Sequence, residues 1–231
     1  MYICYVMSYI LQIDTSGDKG LLVLSFEGKI ISQKFIEDNK KQASLINILI
    51  DELLADASIE FDKIHAVAVI AGPGSYTGVR LGLATAKGIC YAMNIPLIMQ
   101  LKLEILSRQL YQSFSSEFYS CVLKAREKEY FIALYDNNFK TEIFPHHVSE
   151  EELKNIFSKI RNKTSISTDC IEEIRVLENE NICVHSNANV DAEFWSLCCM
   201  QSFKECNFNN LSTSEPFYLK NTFIHNYMKI S

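Results

Sequence analysis

The sequence predicts an α/β protein of two lobes, each a mixed sheet flanked by helices. Three observations lead there. Short apolar runs near the start, and again after the middle, alternate with segments of helical period. The run Ile64 to Ala71 is almost continuously apolar and β-branched, the pattern of a strand covered on both faces. The chain has 231 residues, 48% hydrophobic and 22% charged, enough for one large domain or two small lobes with a real core. That composition excludes a mainly disordered or collagen-like chain. The net charge of −6 argues against a broad basic face that grips nucleic acid by itself.

Tyr9 to Asp14 reads as a buried strand, followed by the turn Asp14-Thr15-Ser16-Gly17-Asp18. Leu21 to Phe26 and Lys29 to Ile36 are two further strands, and the Glu27-Gly28 step between them is a hairpin signal. Residues 41 to 57 switch to helical period. Ile46, Leu49, Ile50, Leu53, Leu54 and Ala57 share one face, and Leu45 and Ile48 widen it. One sheet needs only one face of such a helix, so the stripe is either sandwiched in its own domain or shared with a partner. After the strand from Ile64 comes a glycine loop, then a helix to Met93 stopped by Asn94 and Pro96. Leu97 to Gln100 is a strand and Lys102 to Gln112 a helix. Beyond it, strands are expected at Tyr119 to Leu123, Tyr130 to Tyr135 and Thr141 to Phe144. Ser149 and Glu152 form a capping box for a helix through Ile160. Strands near Ser165 and Ile182 and a helix from Ala192 to Phe203 complete the series. The boundary is expected near residue 103, giving lobes 1–103 and 104–231, with the C-terminal segment packing back on the first lobe.

The N-terminus lacks the basic region and cleavage site of a signal peptide, and no run reaches the ~18 apolar residues of a membrane span. Residues 1 to 6 are either an extension ahead of Met7 or a short strand end. Eight cysteines form no CxxC pair, which leaves a structural zinc unsupported. They read as free thiols, mostly buried, in a reducing cytosol.

The segment from Ala71 to Gly88 carries the most information. It is neither a P-loop nor a dinucleotide fingerprint, since Thr77 stands where either needs glycine. Gly72, Gly74, Ser75 and Thr77 form a glycine loop in which Ser75 or Thr77 caps the helix; it is a tight turn or an anion cradle. Gly78, Gly82 and Ala86 make a smooth flank, and Gly82 and Gly88 each cost roughly 1 kcal/mol in a helix interior. Close approach of another helix is the expected compensation. Val79, Leu83, Cys90 and Met93 form the adjacent apolar face. Arg80, Lys87 and Tyr91 share a third face, solvated or turned to an acidic partner. Catalytic signatures are missing: there is no HxxxH, HExxH or HxH pair and no GxSxG elbow. His146-His147 reads as a surface turn and His65 as a strand-end residue. Asp14 is either a turn former or a carboxylate aimed at a metal-bound nucleotide.

Three stretches then resemble the bacterial TsaB family, also called YeaZ: Ile10 to Ser16, Ile50 to Leu54, and Gly72-Pro73-Gly74-Ser75-Tyr76-Thr77-Gly78-Val79-Arg80-Leu81-Gly82. The likeness is strong over residues 8 to 112. It is weaker beyond, resting on Ala125-Arg126 with Glu129 and on Glu215 to Lys220. The resemblance implies a two-lobed actin-like ATPase (ribonuclease H-like) fold. It implies a cytoplasmic, non-catalytic subunit that binds and activates a TsaD-type transferase, which threonylcarbamoylates adenosine 37 of tRNAs reading codons that start with A. A TsaE-type ATPase joins the complex, tRNA is reached through the complex, and the subunit alone is either a homodimer or a monomer. No cofactor is expected in this subunit, with ATP used elsewhere. The paired-histidine metal motif of transferase relatives is missing, and Asp14-Thr15-Ser16 stands as a vestigial nucleotide loop with Ser16 in place of glycine. The family's interface helices correspond to 41–57 and 78–93, so the expected partner interface comprises Leu45, Ile46, Leu49, Leu53, Gly78, Val79, Gly82, Leu83, Ala86 and Cys90. Gln42 and Lys124 depart from the family pattern. A nucleotide-dependent kinase or ATPase is the alternative, and a protease ranks last.

Overall fold

The structure is a computed structural model that describes residues 7–217. The expectation for residues 1 to 6, and the end of the motif from Tyr218 to Lys220, lie outside the described residues.

The chain traces one topology twice. In the first pass, β1 (Tyr9–Asp14), β2 (Gly20–Phe26) and β3 (Lys29–Ile36) form an antiparallel meander. The two-residue step Glu27-Gly28 has positive φ at both positions, which matches the twist of a tight hairpin. Helix α1 (Gln42–Ala57) leads to β4 (Ile64–Ile70), and α2 (Tyr76–Met93) leads to β5 (Leu97–Gln100). Both new strands run parallel to β1, giving the sheet order β3-β2-β1-β4-β5. Ser58 and Asn94 end the two helices in the left-handed conformation.

After α3 (Lys102–Ser113) the pattern recurs with β6 (Phe118–Arg126), β7 (Glu129–Asp136), β8 (Thr141–Ser149), α4 (Glu150–Lys159), β9 (Thr164–Thr168), α5 (Ile171–Ile174), β10 (Ile182–His185) and α6 (Ala192–Lys204). The second sheet is ordered β10-β9-β6-β7-β8, the mirror listing of the first. The capping box at Ser149 and Glu152 is present. One expectation is corrected. The strand from Thr141 continues to Ser149, so His146-His147 lies in a strand and not in a turn: cross-strand pairing of Phe131 with His147 extends the ladder, and His147 Nε2 meets Glu129 at 3.1 Å. The short helical stretch 171–177 is an element that sequence periodicity does not reveal, because it carries too few residues to show a period.

Four apolar clusters stack in layers. Helices α1 and α2 cover one face of the first sheet, where Ile46, Leu53, Leu83 and Ala86 meet Leu11, Leu22 and Val67. The other face holds α6, with Trp195 and Cys199 against Ile10, Val23 and Ala66. Helix α3 lays Leu103 and Leu106 on the second sheet at Cys121, Ala133 and Tyr135. Helix α4 and the 171–177 stretch close its far side. The last helix of each pass thus lies on the sheet of the other pass. The expected boundary at 103 falls at the second residue of α3. Residues 209–217 return along the first lobe: Asn209 bridges to Leu97, and Phe217 N donates to Ala71 O at 2.8 Å.

Buried thiols are inert here. Burial pushes Cys90 up to about 11 and Cys121 and Cys199 well above their usual value. Cys183 and Cys206 are exposed, and Cys4 lies outside the described residues.

Two outcomes are expected. Trp195 is fully buried and its Nε1 donates to Gln100 Oε1 at 2.6 Å, so Trp195→Ala should cost about 3–5 kcal/mol in urea unfolding. His185 stacks on Phe114 at 3.8 Å, its Nε2 is buried with no hydrogen-bond partner among the described residues, and burial lowers its pKa below the usual 6.5. The unfolded chain takes up that proton first, so this contribution to stability falls as pH drops below 6.5. His185→Phe should show a smaller loss of unfolding midpoint than the parent over that range.

Candidate functional site at the strand ends and the outer helices

Three parallel strands, β1, β4 and β5, finish side by side at their carboxyl ends. In an open α/β sheet this is where a ligand binds. Asp14 ends β1, the glycine loop follows β4, and Lys102 follows β5. Here the chain fills the place itself. Asp14 is 5% exposed, and its Oδ1 accepts from Ser16 N at 2.8 Å and Ser16 Oγ at 2.6 Å. Lys102 Nζ lies 4.0 Å from Asp14 Oδ2 and donates to Ser16 Oγ at 3.2 Å.

The glycines explain how the loop fits. A methyl group added to Gly74 would overlap Ser16, and one on Gly78 or Gly82 would overlap Thr15. Thr15 Oγ1 donates to Gly78 O at 2.7 Å, and Ser75 N donates to Ser16 O at 2.8 Å. Gly72 has φ +121°, a conformation that glycine tolerates. Ser75, not Thr77, caps α2, with its Oγ 3.3 Å from Gly78 N. The small flank of α2 therefore faces the first-strand loop and not another helix. Gly88 is different: nothing among the described residues lies within 4 Å of a methyl placed there.

The expected interface is corrected accordingly. Ile46, Leu53, Val79, Leu83, Ala86 and Cys90 are buried in the chain's own interior, and Gly78 and Gly82 are covered by Thr15. Their stripe points at the first sheet because that sheet supplies the apolar surface on which the helices fold. Leu45 and Leu49 remain half-buried at the rim. The outward faces of α1 and α2 instead present Ile48, 53% exposed, with Ala84, Gly88 and Tyr91. Ala84 and Gly88 carry no apolar bulk, so hydrophobic periodicity does not single them out; a solvent-side glycine in a helix was the available signal. Lys87 is half-buried and its Nζ donates to Ser214 O at 2.9 Å, while the Arg80 guanidinium lies 3.9 Å over the Tyr76 ring.

The remaining candidates are structural. Gln42 is buried and donates to Gly17 O at 3.4 Å. Lys124 pairs with Glu173, which is held below the usual carboxylate range by Lys124 and Tyr130. His65 Nδ1 accepts from Tyr9 N at 3.2 Å. Among the described residues no group of three or more His, Cys, Asp or Glu is placed to hold a metal ion. No described helix is long and apolar enough to cross a membrane.

Two sheets of one topology with exchanged helices are the architecture of an actin-like ATPase, here with its strand-end cleft filled from within. The model of the family described as TsaD, tRNA N6-adenosine threonylcarbamoyltransferase, matches residues 29–190. The chain belongs to this family, and within it stands with the TsaB/YeaZ proteins. The tRNA threonylcarbamoyladenosine biosynthesis protein TsaB of Buchnera aphidicola is 25% identical over 75% of this chain and 78% of its own length. That of Haemophilus influenzae is 27% identical over 54% of this chain and 52% of its own. The chain thus spans about half the length of the second relative. The solved structure of YeaZ from Pseudomonas aeruginosa superposes with a TM-score of 0.73 at 18% identity, covering 92% of this chain and all of that one.

The two kinds of helix glycine separate in a stability measurement. Gly78→Ala should destabilise by about 1–3 kcal/mol or more, because the obstacle is backbone. Gly88→Ala should stabilise by about 0.5–1 kcal/mol, because an exposed helix position prefers alanine.

Proposed function

We propose that this chain is a non-catalytic scaffold subunit that binds and activates a TsaD-type transferase for threonylcarbamoylation of adenosine 37 in tRNA. Family membership supports the pathway. One observation carries the subunit role: the strand-end cleft is filled by the chain's own loop and lysine, while the outer helix face stays smooth and open. The alternative nucleotide-dependent enzyme needs Asp14 free to face a metal-bound phosphate, and Asp14 is engaged on both oxygens. A protease needs an accessible nucleophile. Ser16 is 3% exposed and its hydroxyl donates to a carboxylate, which weighs against that role.

The partner docks on the outer face of α1 and α2. Ile48 supplies apolar area, with Leu45 and Leu49 at its edge, and Ala84 and Gly88 let a second helix approach closely. In isolation the same face pairs with a second copy of the chain. A TsaE-type ATPase completes the assembly, with the basic groove for tRNA largely on the transferase.

Gly88→Arg and Ala84→Arg point outward and leave the interior untouched. Gly88→Arg should raise the unfolding midpoint slightly, as Gly88→Ala does, and Ala84→Arg should keep it close to the parent's, while both lose at least about tenfold in affinity for a TsaD-type transferase, since a large charged side chain prevents close helix approach. Depletion in cells should lower threonylcarbamoyladenosine in tRNA nucleosides measured by mass spectrometry. Unchanged nucleoside levels and unchanged binding by both variants would sink the proposal.

A further inference from the structure

A buried carboxylate requires a counter-charge. In an actin-like ATPase the strand-end carboxylate faces a metal-bound nucleotide. The donor set in this chain does not fit that group, because Asp14 Oδ1 is taken by Ser16 and Oδ2 faces Lys102. The Lys102 side chain is only 13% exposed. A methyl on Gly17 would lie 3.4 Å from its Nζ, so the loop closes around the ammonium.

Lys102 also stands at a junction of the fold. It is the first residue of α3, the helix that lies on the second sheet. Its backbone N–H donates to Gly72 O at 2.8 Å, within the glycine loop of the first lobe. Its side chain reaches the loop after β1. One residue thereby joins the ends of β1, β4 and β5 to the helix carried by the other lobe.

We propose that Lys102 is a built-in counter-ion that clamps the two lobes in one arrangement, its ammonium taking at Asp14 the place of a bound cation. The clamp extends to α2. Lys102 orders Ser16, Ser16 O receives the amide of Ser75, and Thr15 is hydrogen-bonded to Gly78. Loss of the ammonium leaves an uncompensated carboxylate at the base of this chain of contacts. The inference stands on the cleft alone and is independent of which partner covers the outer face.

Hydrogen exchange of the full chain tests it. Lys102→Met should speed exchange by about tenfold or more at the Ser16 and Ser75 amides and at the amide of residue 102, whose bond to Gly72 O joins α3 to the first lobe, while amides of β9 and β10 keep the parent rates. Lys102→Arg should restore protection, and Asp14→Asn with Lys102→Met should be no worse than Lys102→Met alone. Exchange unchanged within about twofold in Lys102→Met, or strictly additive effects in the double variant, would overturn the clamp. Should Lys102→Met fail to fold, the double variant decides: recovery of folding supports a counter-ion requirement, and continued failure refutes it.

Discussion

The contact on which the molecule turns is the seating of Thr15 and Ser16 in three side-chain-free positions of the next crossover. Gly78 and Gly82 lie one turn apart on α2 and Gly74 lies in the loop before it; Ser16 O, Thr15 O and the Thr15 hydroxyl occupy the space their missing Cβ atoms leave. Each helix glycine carries a propensity cost of roughly 1 kcal/mol, which the hydrogen bonds from Thr15 to Gly78 and from Ser75 to Ser16 help offset. The seating fixes how close α2 lies to β1, and with it the tilt of the helix over the first sheet. Asp14, Ser16 and Lys102 then lock the same loop from the other side.

That arrangement divides α2 into two faces with different physics. The inner face is governed by packing: Val79, Leu83, Ala86 and Cys90 are almost fully buried, and changes of volume there act on the fold. The outer face has small residues, a large exposed tyrosine and, among the described residues, no neighbour within 4 Å of a methyl at Gly88, so changes of volume there do not disturb the packed interior. Which side of the helix lies on the sheet depends on its rotation being fixed. The loop beneath it supplies that constraint.

Much of this was legible in the residues. The hairpin at Glu27-Gly28, the buried strand from Ile64, the stop at Asn94 and Pro96 and the capping box at Ser149 are local signals, and each was realised locally. The glycine run marked close approach correctly but not its object. A helix partner and a neighbouring loop ask the same thing of a glycine, namely an absent side chain, so sequence cannot tell them apart. The inward stripe of Ile46, Leu53, Leu83 and Ala86 fits the chain's own sheet and a partner equally well in sequence, for a related reason: periodicity shows that a face is buried, not what buries it.

Sequence by itself determined the order of the longer elements, the repeat of a meander followed by helical crossovers, and the family, because these depend on local propensity and on a long, specific motif. The tertiary structure decided which residues meet. It brought Lys102 to Asp14 across 88 positions of chain, crossed α3 and α6 onto each other's sheets, and turned Ala84 and Gly88 rather than Gly78 and Gly82 to the outside. Those outcomes follow from where the parallel strand ends converge and from which helix face the sheet has already claimed, and neither is written in any single segment.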